Sequence, residues 1–140
     1  MVGIPRYVDV NVFVYWLGGH PVFGDRAYEW IRKVEKARRG EYTTSTLTVY
    51  EVLVVIAGLT GRSLGDRGFV EGVVEAIRGL RGLTLTSLGE ETLTEASALM
   101  DRYGIDYEDA LHLAVALKAG AKEIISNDED FDRTPLKRLF

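Results

Sequence analysis

Tyr7-Val8-Asp9-Val10-Asn11-Val12-Phe13-Val14-Tyr15-Trp16-Leu17 is an almost wholly apolar stretch carrying one charge, Asp9. Residues 6–10 read as a buried strand, and residues 11–17 turn toward helix. A strand that runs apolar on both of its faces belongs in a parallel sheet covered by helices on two sides. A carboxylate at the end of such a strand is costly. Left unpaired in the interior it costs several kcal/mol, so such a group takes up a proton, finds a partner or holds a cation.

The rest of the chain alternates in the same sense. Tyr28, Ile31, Val34 and Ala37 keep helical spacing in a segment ending near Gly40. Residues 42–45 form a short strand, after which Ser45 or Thr46 caps a helix that carries Glu51 and closes around residues 58–61. Beyond Asp66, a helix presents Phe69, Val73, Val74 and Ile77 on one face, and residues 83–88 alternate as a strand. Residues 92–103 are helical and end at Gly104, residues 106–119 form another helix, and residues 123–126 form a strand. The tail from 128 to 140 reads as irregular or partly helical. This order predicts one α/β domain over residues 1–140, a three-layer α/β/α arrangement around a central parallel sheet. In such sheets ligands bind outside the carboxyl ends of the strands. Asp9 and Asp128 lie at strand ends, and Glu51 and Asp109 in the first part of helices, so one end of the sheet can collect all four.

Composition narrows the chemistry. With 140 residues, 46% of them hydrophobic and 27% charged, the chain is long enough for a full core. It has no cysteine, which removes disulfides, thiolate catalysis and Cys-ligated zinc. No apolar stretch is long enough for a bilayer and no secretion signal opens the chain, so a cytoplasmic location is expected, without membrane association. The net charge of −4 argues against a general nucleic-acid coat. Arg32, Lys33, Lys36, Arg38 and Arg39, with Arg133, Lys137 and Arg138 near the end, read as solvated faces from which a few side chains reach phosphates. There is no Gln, and the only two Asn, Asn11 and Asn127, each lie within two positions of an embedded acid.

Each acid has a bland reading beside the chemical one. Glu51 is the only charge between positions 42 and 61, on a helix apolar nearly all round, which is a pattern of burial. Asp109 opens the apolar run Ala110-Leu111-His112-Leu113-Ala114 but also suits the third position of a capping box begun by Asp106. Asp128 follows a strand directly; Asp130 and Asp132 share its loop, where acids cost little. His112 reads as a core or supporting histidine rather than a ligand. Four embedded acids without an equally embedded Lys or Arg point to a shared divalent cation. Carboxylate oxygens favour Mg²⁺ or Mn²⁺, and the chain reads as a metal-dependent hydrolase.

Four segments, in order, resemble the PIN-domain family and, within it, the VapC-like ribonucleases of toxin–antitoxin pairs. They are Val8-Asp9-Val10-Asn11-Val12, Thr46-Leu47-Thr48-Val49-Tyr50-Glu51-Val52, Tyr107-Glu108-Asp109-Ala110-Leu111-His112-Leu113-Ala114 and Ile125-Ser126-Asn127-Asp128-Glu129-Asp130-Phe131. Ser126 stands where the family more often has Thr and keeps the hydroxyl. The resemblance implies a PIN-like fold and a Mg²⁺- or Mn²⁺-dependent endoribonuclease. Asp9 and Asp109 would be the principal metal ligands, Glu51 and Asp128 would complete the set, and Asn11, Ser126, Asn127 and Asp130 would support them. It implies an RNA substrate, a VapB-like antitoxin covering the site, and a homodimer formed through an apolar helix face, with residues 52–56 and 69–74 offering apolar surface. Tyr15, Trp16, Trp30 and Phe131 are candidates for stacking on bases, each with a competing role in the core. Other readings stand beside it: a PIN-type RNA-processing nuclease outside a toxin–antitoxin pair, a nuclease cutting DNA, and a metal-stabilised domain without catalysis. A phosphatase with an aspartyl nucleophile would want a second Asp where the chain has Asn11.

Overall fold

The structure is a computed structural model and describes residues 3–140. Its centre is β1 (Arg6–Val8), whose short length is enough because both neighbours pair with it in parallel. Tyr7 lies opposite Thr43 and Ile124. The other strands are β2 (Tyr42–Ser45), β3 (Leu83–Thr86), β4 (Glu123–Ile125) and β5 (Lys137–Leu139), and the five lie in the order β3-β2-β1-β4-β5, all parallel. Successive strand residues face opposite sides. Tyr7 therefore enters one core and Val8 the other.

The helices fill these two layers. On the Val8 side lie α1 (Val10–Leu17), α2 (Gly24–Lys36), α3 (Thr46–Thr60) and α4 (Arg67–Arg78). The Tyr7 side holds α5 (Glu90–Tyr103) and α6 (Tyr107–Lys118), and α6 is buried without a break from Asp109 to Ala116. This is the α/β/α domain that the alternation of elements predicts. Helix starts follow side-chain capping: Ser45 accepts from the Leu47 amide, Asp66 from Phe69 and Asp106 from Asp109. Gly61 and Gly104 end α3 and α5 at φ values of 68° and 64°, a left-handed backbone that favours glycine. No described helix is long and apolar enough to cross a membrane.

Boundaries differ most from the sequence reading in four places. β1 stops at Val8 because Asp9 already takes the extended N-cap conformation and Val10 begins the helix. α2 starts at Gly24, ahead of Tyr28; its first turn is polar apart from Ala27, which is buried. β3 ends at Thr86 rather than 88. The tail forms a 3-10 turn at Glu129–Arg133 and then a fifth strand, Lys137–Leu139, which reads as polar because it is the sheet's edge.

Phe131 sits under that 3-10 turn, fully buried, and so is unavailable to stack on a base. Its ring anchors the loop that carries Asp128 and Asp130. Truncation by Phe131→Ala is expected to destabilise the protein by about 3–5 kcal/mol. Urea unfolding would measure this, and a loss under about 1 kcal/mol would mean that the loop is held by its hydrogen bonds alone.

Candidate active site

The strand order reverses beside β1, where β2 lies on one side and β4 on the other. Carboxyl ends of parallel strands at such a switch point leave a crevice between diverging connections. Asp9 follows β1 and Ser126 follows β4, so the two meet across it: Ser126 Oγ donates to Asp9 Oδ2 at 2.7 Å. The Asp9 amide donates to the Ile125 carbonyl at 3.0 Å, which fixes the register of the meeting. Although Asp9 holds the N-cap position of α1, its side chain does not cap the helix. It turns into the crevice.

Asn11 and Ser126 bind this carboxylate into a network. Asn11 Nδ2 lies 3.2 Å from Asp9 Oδ2 and 3.3 Å from Ser126 Oγ, while Asn11 Oδ1 accepts from the Asn127 amide at 3.2 Å. Ser126 Oγ also accepts from the Asp128 amide at 3.0 Å. Asn127 reaches outward, donating to the Tyr15 hydroxyl at 3.1 Å. Asp128 caps the next turn through the Asp130 amide at 2.9 Å. One hydroxyl, that of Ser126, thus couples the acid of β1 to the acid loop after β4.

The carboxyl-bearing residues fall into two adjoining groups. Asp109, Asp128 and Asp130 place ligand oxygens within 4.8 Å of one another. Glu51, Glu108 and His112 do the same with their own atoms. Asp106 caps α6 by accepting from the Asp109 amide, so helix-start chemistry is present; the buried Asp109 carboxylate nevertheless joins Asp128 and Asp130. A cleft of about 240 Å³ runs beside them, lined by Asp9, Asn11, Val55, Glu108 and Asp128 among others. A larger hollow of about 380 Å³ lies around Arg6, Tyr42 and Glu123, at the opposite ends of the strands. Its central charges already pair, Arg6 Nε to Glu123 at 2.8 Å.

Electrostatics mark the first cleft as strained. Burial pushes the Asp9 carboxyl above its ordinary value, and Asp128 adds to this, against the lowering effects of His112, Ser126 and the Val10 amide. Burial, then Asp128, Asp106, Asp9 and Glu108, pushes Asp109 up to about 8. Glu108 is raised by its partial burial and by Glu51. His112 behaves in the opposite sense to an ordinary buried imidazole. Burial works to lower its pKa, but the contacts with Tyr7 and Glu51 and the nearby charge of Asp9 hold it well above the usual value. Acids raised by burial and by one another favour a bound cation, which would take the place of their protons.

Of the eight residues singled out in the sequence, Asp9, Asn11 and Asp128 line this cleft, Asp109 and Asp130 lie with Asp128, and Ser126 and Asn127 hydrogen-bond to members of that group. Glu51, half-buried on α3, meets His112 rather than the aspartates. Glu108 went unnoticed in the sequence because it looks like one more acid at a helix start. Its only signal there is its place four positions before His112, one turn along the same face. The expectation that the helix carrying Glu51 is enclosed on all sides is corrected: Tyr50, Val54, Val55 and Leu59 are exposed, at 59%, 43%, 40% and 66%.

A five-stranded parallel sheet with a clustered acidic crevice at its switch point defines a PIN-type domain. The family model for the PIN domain matches residues 6–137, and the chain belongs to that family. Among solved structures, it is similar to VapC20 of Mycobacterium tuberculosis, a toxin that cleaves the sarcin–ricin loop, with a TM-score of 0.72 and 16% identity over 91% of this chain and 92% of that one. It is also similar to VapBC2 of Rickettsia felis bound to a DNA fragment from its promoter, with a TM-score of 0.67 and 16% identity over 96% of each chain. A toxin–antitoxin complex from Klebsiella pneumoniae matches with a TM-score of 0.63 and 18% identity over 94% of this chain and 98% of that one. No curated protein matches the chain by sequence.

Proposed function

We propose that this chain is a Mg²⁺- or Mn²⁺-dependent endoribonuclease that hydrolyses RNA phosphodiesters, acting as the toxin of a VapBC-type pair in the cytoplasm. The observation that carries the reading is the convergence of Asp109, Asp128 and Asp130 beside Asp9 at the sheet's switch point. The donor set fits a hard cation: it is all carboxylate oxygen apart from His112, and Asp109 holds a proton up to about pH 8 when no cation is there to replace it. When bound, the cation would supply an activated water and offset the charge that develops on phosphate oxygens.

In this reading Asp9 and Asp109 are the principal ligands, and Glu51 and Asp128 complete the set. Asp130 is close enough to share that role. Ser126 and Asn11 keep the Asp9 carboxylate turned into the crevice, and Asn127 ties the acid loop to Tyr15. The substrate class is taken from the family and from the stated action of VapC20. An antitoxin partner is supported by the two complexes among the similar structures and by the exposed apolar face of α3. Val55 on that face also lines the acidic cleft, so a partner packed there would cover the site. The same face would serve a homodimer.

The test is incubation of the purified protein with structured and single-stranded RNA, with and without Mg²⁺ or Mn²⁺, beside Asp9→Asn. Metal-dependent cuts that vanish in the variant are expected. Equal cutting by both proteins would reject the acidic crevice as the nuclease centre, and cutting of DNA in preference to RNA would change the substrate.

A further inference from the structure

His112 is fully enclosed on α6, yet both of its ring nitrogens are engaged by polar groups from other elements. Nδ1 meets the Tyr7 hydroxyl at 2.6 Å, and Nε2 meets Glu51 Oε1 at 2.6 Å. Tyr7 is itself fully buried on β1, two residues before Asp9. A continuous chain of short hydrogen bonds therefore runs from the central strand through α6 to the one charged residue of α3. Glu51 has no other ion-pair partner among the described residues.

The direction of these bonds follows from the groups themselves. A carboxylate only accepts, so Nε2 keeps its hydrogen and donates it in a hydrogen bond to Glu51, whether the ring is neutral or charged. Nδ1 accepts from the Tyr7 hydroxyl in the first case and donates to it in the second, and the phenol serves either way. The contact with Tyr7 stops the imidazole from turning, and the contact with Nε2 stops the flexible Glu51 side chain from swinging toward solvent. A hydrogen-bonded partner behind a functional carboxylate governs where its remaining oxygen points.

We propose that His112 is a positioning residue, which with Tyr7 behind it fixes the Glu51 carboxylate toward the Asp9–Asp109 crevice. The inference rests on the nuclease reading above for its consequence in catalysis, but not for the arrangement itself. Glu51, Glu108 and His112 have ligand atoms close enough to hold a metal between them, which gives His112 a competing role as a ligand. The two roles differ in one proton. A positioning imidazole keeps its Nε2–H when the cation binds, and a ligand nitrogen must lose it.

The experiment uses the full chain with ¹⁵N-labelled histidine, Mg²⁺ and Zn²⁺ as diamagnetic probes, Mn²⁺ titration by calorimetry, and RNA cleavage. The variants are His112→Leu, His112→Gln, and Tyr7→Phe with His112→Leu, the last leaving no buried hydroxyl unpaired if the single change fails to fold. A protonated Nε2 signal that persists with Mg²⁺ and Zn²⁺ is expected. Removing the imidazole should weaken Mn²⁺ binding and lower kcat by about 10–100-fold, with KM little changed. His112→Gln, whose amide can still donate to Glu51, should recover most of both. Loss of the Nε2 proton on adding either metal would overturn the proposal in favour of ligation. A folded double variant matching wild type in Mn²⁺ affinity and cleavage would overturn it outright. If wild type cuts no RNA but the variants lose Mn²⁺ affinity as described, the nuclease reading fails and the positioning role stands.

Discussion

Asp109→Asn is expected to abolish RNA cleavage and, in the absence of metal, to make the protein more stable. Both effects come from the same carboxylate. Asp109 is buried among Asp128, Asp106, Asp9 and Glu108, and its pKa is pushed from 3.8 to about 8. Below about pH 4 the proton is retained in folded and unfolded chains alike. As pH rises toward 8 the unfolded chain releases it while the folded chain keeps it, so the folded state loses stability across that window. Near pH 7.5 the difference of roughly 3.7 pH units, at about 1.4 kcal/mol each, sets an upper figure of about 5 kcal/mol. Relaxation of neighbours and water will leave less, on the order of 2 kcal/mol, which for a domain of this size is a rise of several degrees in Tm. An amide of the same shape removes the penalty and can donate to Asp128. If Asp109 ligates a cation as proposed, the balance reverses once metal is bound, because an amide cannot replace the charge of the lost ligand. A few kcal/mol of lost transition-state stabilisation corresponds to a rate loss on the order of a thousandfold. Melting in EDTA and cleavage under saturating Mg²⁺ would be measured on the same preparation. A variant that melts lower than wild type in EDTA would show that Asp109 is a structural acid, paired more favourably than its burial suggests.

What could be read from the sequence, and what could not, divides along the range of the interaction involved. Asp9 stood out because it is the only charge in an apolar strand–helix run, and burial is a local property of such a run. Helix ends were equally local, since Ser45, Asp106 and Gly104 act on their own or adjacent turns. The fifth strand was missed for the opposite reason. Lys137-Arg138-Leu139 has no strand pattern of its own and is recruited by backbone pairing with β4. The Tyr7–His112 contact spans 105 positions and the His112–Glu51 contact 61, so neither periodicity nor spacing announces them. α3 was misjudged in a more instructive way. A helix apolar on every side fits burial within its own chain and burial under a partner equally well, and only the packing shows that one side faces outward. The acids themselves were found singly. That they form two groups, one of carboxylates alone and one containing His112, depends on how α6 meets the loop after β4 on one side and the Glu51 side chain on the other.

Mg²⁺ should raise the melting temperature far more at about pH 8.5 than at about pH 6, and its binding should release protons. Asp9, Asp109 and Glu108 are all raised when no cation is present, by burial first and by neighbouring carboxylates after it. Raised acids contribute stability that is complete below their unfolded values and is lost as pH climbs through the folded ones. Asp109, pushed up to about 8, carries that window at least so far. The metal-free protein therefore weakens from about pH 4 to pH 8. A cation bound to these oxygens takes the place of the protons, and the penalty turns into attraction. The gap between metal-bound and metal-free stability thus widens through the same window. His112 is also raised, and its stabilising charge is likewise lost with rising pH. Thermal melts over a pH series with and without Mg²⁺ would trace the gap, and calorimetry in buffers of different ionisation enthalpy would count the protons. A Mg²⁺ effect of the same size at both pH values would mean that the cation binds elsewhere, on acids already ionised at the surface. A cation bound in the crevice, by contrast, would have to displace the protons that relieve the repulsion between its carboxylates.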